Sequence, residues 1–171
     1  MSFTAFEPEA ILAALEGERV RYIVIGGLAA ALHGSPLLTQ DIDICPARDL
    51  ENLERLARAL RGIGSKIRTD DAPDGLPFAC DAVFFQNVEL VNLTTLYGDL
   101  DVAFTPAGTA GYSDLARQAR PLAITAELAP AIAALEDVIR SKQAANRPKD
   151  VAAMPTLRTL LAELRRRGGS T

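Results

Sequence analysis

Along the first two thirds of the chain the apolar residues alternate between helical and strand-like spacing, and in the last quarter they keep helical spacing alone. Ile11, Leu12 and Leu15 share one helical face, which predicts a helix over 8–16 that Gly17 can end. The short β-branched run 21–25 predicts a strand, and Gly26-Gly27 separates it from a short helix at 28–32 that stops near Gly34-Ser35-Pro36. Residues 39–45 alternate polar and apolar as a half-buried strand does. After Asp49, a plausible N-cap, Leu50, Leu53, Leu56, Ala57 and Leu60 predict an amphipathic helix ending at Gly62 or Gly64. The run TDDAPDGLP reads as a loop, followed by strands at 78–85, 88–94 and 100–104. PAGTAGYSD leads into a short helix around Leu115, a strand is expected at 122–125, and helices at 130–145 and 148–167 close the chain.

The pattern predicts one α/β domain over 1–171, with an α/β core at 1–129 and a C-terminal helical pair at 130–167 packed on it. A length of 171 residues suits one well-buried domain, and 49% hydrophobic residues is a globular composition. No apolar run approaches the roughly 20 residues of a membrane helix, and no basic flank precedes an apolar block at the N-terminus, so a cytoplasmic location is expected. Cys45 and Cys80 have neither disulfide-framework nor zinc-site spacing and read as buried small hydrophobes. The net charge of −4 argues against a protein that coats nucleic acid, while leaving room for a local basic groove. Arg165-Arg166-Arg167 reads as a solvated helix end.

The candidate chemistry lies in the strand at 39–45. Residues two apart on a strand share a face, so Asp41 and Asp43 project together while Ile42 and Ile44 enter the core. Two carboxylates about 4 Å apart repel by roughly 4 kcal/mol at an effective dielectric of 20, which calls for a cation between them. Mg²⁺ is commonly held by one or two carboxylates together with substrate phosphates. Gly26-Gly27 at a strand-to-helix turn lets backbone N–H groups approach an anion. YGDLDVAF repeats the Asp-x-Asp alternation, with Asp101 well inside the run and Asp99 next to the Gly98 turn. The plainer account of an isolated Asp-x-Asp is a solvated strand face. Lys142 continues the apolar face of Leu135, Val138 and Ile139, and Asp150 extends the stripe of Met154, Leu157 and Leu161 backwards. The two either pair with each other across the helix junction or face a ligand. His33 reads as a cap or packed residue, and Ser35 and Thr39 as turn and strand residues with hydroxyls able to reach phosphate.

The stretch IGGLAAALHGSPLLTQDIDI resembles the signature of the DNA polymerase β-type nucleotidyltransferases: an apolar residue, a Gly-Gly or Gly-Ser turn, a spacer, then Asp-x-Asp between apolar residues. Together with SKQAANRPKD it is similar to the small bacterial AbiEii-like and MenT-type toxin nucleotidyltransferases. The resemblance implies a mixed central sheet flanked by helices, with C-terminal helices. It implies two Mg²⁺ ions, or Mn²⁺, held by Asp41, Asp43 and Asp101, and transfer of a nucleoside monophosphate from a nucleoside triphosphate such as ATP or CTP to an acceptor hydroxyl. It places Lys142 on the triphosphate, Asp150 near the nucleotide or acceptor, and Gly26, Gly27, Ser35, Thr39, Arg147 and Lys149 among the phosphate contacts. The partners it implies are the triphosphate, a tRNA 3′ end as acceptor and a cognate antitoxin. A protein or small-molecule acceptor, and a nucleotide-binding module without catalysis, are the alternatives. Many relatives carry an Arg where this chain has Leu37-Leu38, so either Arg120 or another distant cation replaces it or the nucleotide is held differently.

Overall fold

The computed structural model describes residues 4–168. Its elements run α1 (Pro8–Gly17), β1 (Tyr22–Ile25), α2 (Gly26–Leu32), β2 (Asp41–Pro46), α3 (Leu50–Gly62), β3 (Lys66–Ile67), α4 (Ala82–Gln86), β4 (Leu90–Thr95), β5 (Gly98–Ala103), α5 (Tyr112–Leu115), β6 (Arg120–Pro121), β7 (Ala131–Ile132), α6 (Leu135–Ala145) and α7 (Pro148–Gly168). The strands form one mixed sheet in the order β3-β4-β5-β2-β1-β7-β6. β2 lies parallel to β5 and β1 parallel to β7, and the other neighbours are antiparallel.

Strict alternation in the two central strands divides the sheet into two chemically different faces. Ile42, Ile44, Leu100 and Val102 are fully buried on one face, while Asp41, Asp43, Asp99 and Asp101 occupy the other. Because β2 and β5 pair in register, Asp41 stands opposite Asp99 and Asp43 opposite Asp101. Helices α1 and α4 both pack on α3, and α2 and α7 both pack on α6. α3 begins as its sequence predicts, with the Asp49 side chain accepting from the Asn52 amide, and it buries Leu53, Leu56, Ala57 and Leu60.

Asn52, on the same helix, is fully buried and completes the join between β1 and β2. Its Oδ1 accepts from Arg21 N at 2.7 Å, and its Nδ2 donates to Ala47 O at 2.7 Å and Arg21 O at 2.9 Å.

Three expected elements differ. The strand expected at 78–85 is an extended lead-in to α4, because Asp81 caps a helical turn by accepting from Phe84 N at 2.8 Å. An apolar run as short as Ala82–Phe85 has no period of its own, and here Phe84 and Phe85 pack with Phe78 as an aromatic cluster. The strand expected at 122–125 is displaced to β6, and residues 122–130 turn back so that Leu122 N reaches Pro130 O and β6 pairs with β7. The helix expected from 130 therefore starts only at Leu135, since Ala131-Ile132 joins the sheet beside β1. The two-residue β3 was not anticipated.

Asn52→Leu removes the side-chain partner of Arg21 N and Ala47 O, while Arg21 O keeps its bond from Ala47 N, and a loss of about 2–4 kcal/mol is expected in urea unfolding. A variant as stable as the wild type would contradict this account of the β1–β2 join.

Candidate functional site

The acidic face of the sheet opens into a cavity of about 780 Å³ lined by Gly26, Gly27, Thr39, Asp41, Asp43 and Asp101 from the sheet side and by Lys142, Arg147 and Lys149 from the α6–α7 junction. A second cavity, of about 380 Å³, lies near Arg21 and Arg48, whose guanidinium groups are already paired with Asp49 and Glu89. The larger cavity is therefore the one whose charges call for a ligand.

Gly26 and Gly27 make room for the carboxylates. Gly26 has φ +65, and a Cβ there would lie 2.8 Å from Asp43 Cγ and overlap the carboxylate. A Cβ on Gly27 would lie 3.0 Å from Thr39 Oγ1. Thr39 donates from that hydroxyl to Asp41 O at 3.0 Å and reaches Asp41 Oδ1 at 3.3 Å, which steadies the first aspartate.

The carboxylates on this face crowd one another's charge. Burial pushes Asp43 up to about 7, and repulsion from Asp41 and Asp101 adds to it while Lys149 and Lys142 work against it. Burial likewise pushes Asp101 up to about 6, with Asp41 repelling it and Arg68 opposing the shift. Among the described residues no set of three His, Cys, Asp or Glu side chains closes into an ion cage by itself. Mg²⁺ or Mn²⁺ bound beside these carboxylates would need substrate oxygens to complete its shell. The buried mutual repulsion at Asp43, and the Gly26 backbone that leaves its carboxylate room, fit such an ion.

The cationic wall depends on Asp150. Asn146, in the left-handed region at φ 51, ends α6, and with Arg147 it joins α6 to α7. Asp150 is fully buried and accepts from Arg147 N at 3.1 Å and Arg147 Nε at 2.8 Å, with Lys142 Nζ 3.5 Å from its other oxygen. Burial works to raise this carboxyl, but the Arg147 bonds and the Lys142 charge outweigh it and hold it low. The pairing across the helix junction is present: Lys142 lies against Asp150 and also lines the cavity, whereas Asp150 is not part of the lining.

Ser35 is not on the cavity wall, and its Oγ accepts from Leu37 N at 3.2 Å within the turn. His33 Nε2 lies 2.8 Å from Ala133 O, a packing role that ties α2 to the start of α6. Arg120 lies on β6 outside the cavity and donates to Ala119 O, so it does not replace the Arg missing at Leu37-Leu38. Leu38, 97% exposed, stands on the cavity rim. A cation that sequence spacing did not reveal is Arg68, which lies against Asp99 and Asp101. Cys45 and Cys80 have thiols pushed up by burial to about 12 and about 11, in keeping with packed residues.

No protein-family model matches the chain, and no curated protein matches it. Among solved structures, a candidate nucleotidyltransferase (TM1012) from Thermotoga maritima aligns with 94% of this chain and 98% of its own at 21% identity and a TM-score of 0.50. This likeness shows the fold. The chain has the α/β architecture expected above, a mixed seven-stranded sheet flanked by helices and closed by C-terminal helices. JHP933 from Helicobacter pylori matches 81% of this chain and 57% of its own at 13% identity and a TM-score of 0.39, too remote to bear on the site. Among the described residues no helix is long and apolar enough to cross a membrane.

The raised Asp43 carboxyl gives a signed expectation for the protein in chelator. Between about pH 4, where an unfolded Asp titrates, and about 7 the folded chain holds a proton that the unfolded chain has lost, so stability falls as pH rises through that window. Asp43→Asn is therefore expected to be more stable than the wild type at pH 8, by about 2 kcal/mol or 4–8 °C in Tm. The gain should vanish near pH 4. Equal stability at both pH values would contradict the crowding of charge at Asp43.

Proposed function

We propose that the chain transfers a nucleoside monophosphate from a nucleoside triphosphate to an acceptor hydroxyl, using divalent metal ions held by Asp41, Asp43 and Asp101. The observation that carries this reading is the meeting, in one cavity, of three in-register carboxylates on the sheet with Lys142, Arg147 and Lys149 on the facing helix junction. Carboxylates on one wall and cations on the other suit a metal-bound polyphosphate, whose oxygens the lysines would attract and whose metal ions the aspartates would hold.

Each residue then has a definite task. Asp41 and Asp43 present adjacent oxygens from β2, and Asp101 adds a third from β5. Two Mg²⁺ ions bound there, or Mn²⁺ in their place, supply charge neutralisation on the phosphates and a lowered pKa for the acceptor hydroxyl. Lys142 and Lys149 bind phosphate oxygens as point charges, and Arg147 offers Nη1, the guanidinium nitrogen that makes no hydrogen bond to Asp150. Asp150 acts through them, holding Arg147 and Lys142 at the cavity edge. Gly26 and Gly27 leave backbone open to the phosphates. Transfer of this kind is mostly positioning and charge neutralisation, so the cavity needs no separate covalent nucleophile.

We further propose the tRNA 3′ end as acceptor and a role as the toxin of a bacterial toxin–antitoxin pair, acting in the cytoplasm. The support is the likeness of GSPLLTQDIDI and SKQAANRPKD to such toxins. The exposed Leu37, Leu38 and Leu90 at the rim equally suit a small or proteinaceous acceptor with an apolar face.

The test is incubation with Mg²⁺, each α-labelled nucleoside triphosphate in turn, and total tRNA or cell extract. Label is expected on tRNA, at background level with folded Asp43→Asn, and reduced at least about a hundredfold by Lys142→Ala. Label on protein or small molecules would change the acceptor and leave the site chemistry in place. Full transfer by folded Asp43→Asn, or no label from any triphosphate, would contradict the reading.

A further inference from the structure

Arg68 was invisible to motif spacing, yet the sheet delivers it to the carboxylates. Its backbone continues the β3–β4 pairing by one residue, with Arg68 N donating to Asn92 O at 2.8 Å. Asn92 stands opposite Asp101, and Asp101 opposite Asp43. Arg68, Asn92, Asp101 and Asp43 thus follow one line across four strand positions on the acidic face. Arg68 and Asp101 lie two strand spacings apart, about 10 Å, a gap that only a long side chain spans over the short Asn92.

The guanidinium grips two aspartates at once. It donates from Nη2 to Asp101 Oδ1 at 3.0 Å, and its Nε lies 3.2 Å from Asp99 Oδ2 without the alignment of a hydrogen bond. This is not a loose surface pair. Ile67, just before Arg68, exchanges backbone bonds of 2.9 and 2.7 Å with Leu76, and Thr69, just after it, begins a turn closed by Ala72. Gly75 permits that fold-back, because a Cβ there would press on Lys66 and Thr94. The backbone at Arg68 is therefore fixed on both sides, and the arginine's hydrogen bond to Asp101 goes to Oδ1.

We propose that Arg68 is a positioning residue for Asp101: it locks the third carboxylate in place through Oδ1 and, anchored also by Asp99, keeps its other oxygen directed to a divalent cation. This rests on the metal-dependent transfer proposed above and adds a residue to it. Partners that orient a ligating carboxylate typically change metal affinity by about 10–100-fold when removed. A guanidinium that merely occupied Asp101 would do the opposite, and its removal would tighten metal binding.

The test is Mn²⁺ binding without nucleotide, followed by the loss of free Mn²⁺ EPR signal for the wild type, Arg68→Gln and Arg68→Lys, with circular dichroism to confirm folding. Arg68→Gln is expected to weaken Mn²⁺ binding about tenfold or more. Arg68→Lys, which keeps the charge but not the two-point grip, is expected to recover part of the loss, and it carries the test alone if Arg68→Gln does not fold. Unchanged or tighter Mn²⁺ binding in the folded variants, beside wild-type binding, overturns the role of Arg68 and leaves the transfer reading standing. No Mn²⁺ binding by the wild type overturns both.

Discussion

Carboxylates do not gather on a half-buried sheet face without something to hold them there, and this constraint organises much of the rest of the molecule. Asp41, Asp43, Asp99 and Asp101 are brought together by the parallel register of β2 on β5, which the buried Ile42, Ile44, Leu100 and Val102 enforce from the opposite face. Slipping that register by one residue would turn the isoleucines to the cavity and the aspartates into the core. The apolar packing that gives the sheet its stability thus also holds the like charges near one another. Their repulsion shows in Asp43 and Asp101, both pushed above the ordinary carboxylate range.

The surrounding structure answers this charge from two sides. From the edge of the sheet, Arg68 takes hold of Asp99 and Asp101. From the helical side, the α6–α7 junction brings Lys142, Arg147 and Lys149 to the cavity, and the buried Asp150 keeps two of them paired at its edge. Asp150 would be costly in the interior without those bonds, since a buried carboxylate needs both charge and hydrogen-bond partners. The left-handed Asn146 makes the sharp reversal that brings Arg147 back onto it. Charge of one sign on the sheet and of the other on the helices is an arrangement suited to a metal-bound polyphosphate.

The sequence made part of this legible. Period-two alternation marked β2 and β5 and put Asp41, Asp43 and Asp101 on a common face. Helical spacing found α1, α3, α6 and α7, and placed Lys142 and Asp150 at inward edges. What escaped has physical reasons. β6 and β7 are two residues each, too short to show a period, so Ala131-Ile132 read as the start of a helix. The apolar run ending in Phe84-Phe85 fits a strand or a buried helix equally, and the Asp81 cap decided for the helix. Asp99 belongs to β5 rather than to the turn, because Gly98 already pairs with Thr95. Arg68 acts across 33 residues of chain, a separation at which no local pattern speaks, and its sole sequence signal was a basic residue just before the polar run TDDAPDG. Ser35 looked suitable by type and proximity in sequence and Arg120 by type alone, and the fold turns them elsewhere.

The central claim is that the aspartate row is a divalent-cation site shared with a triphosphate. Its most direct test is a crystal structure grown with Mn²⁺ and a non-hydrolysable nucleoside triphosphate, with the manganese located by anomalous scattering. The account predicts anomalous peaks bridging Asp41, Asp43 and Asp101 to the phosphates, with Lys142 or Lys149 on phosphate oxygens. Nucleotide bound elsewhere, or bound in this cavity with no manganese at the aspartates, would contradict it.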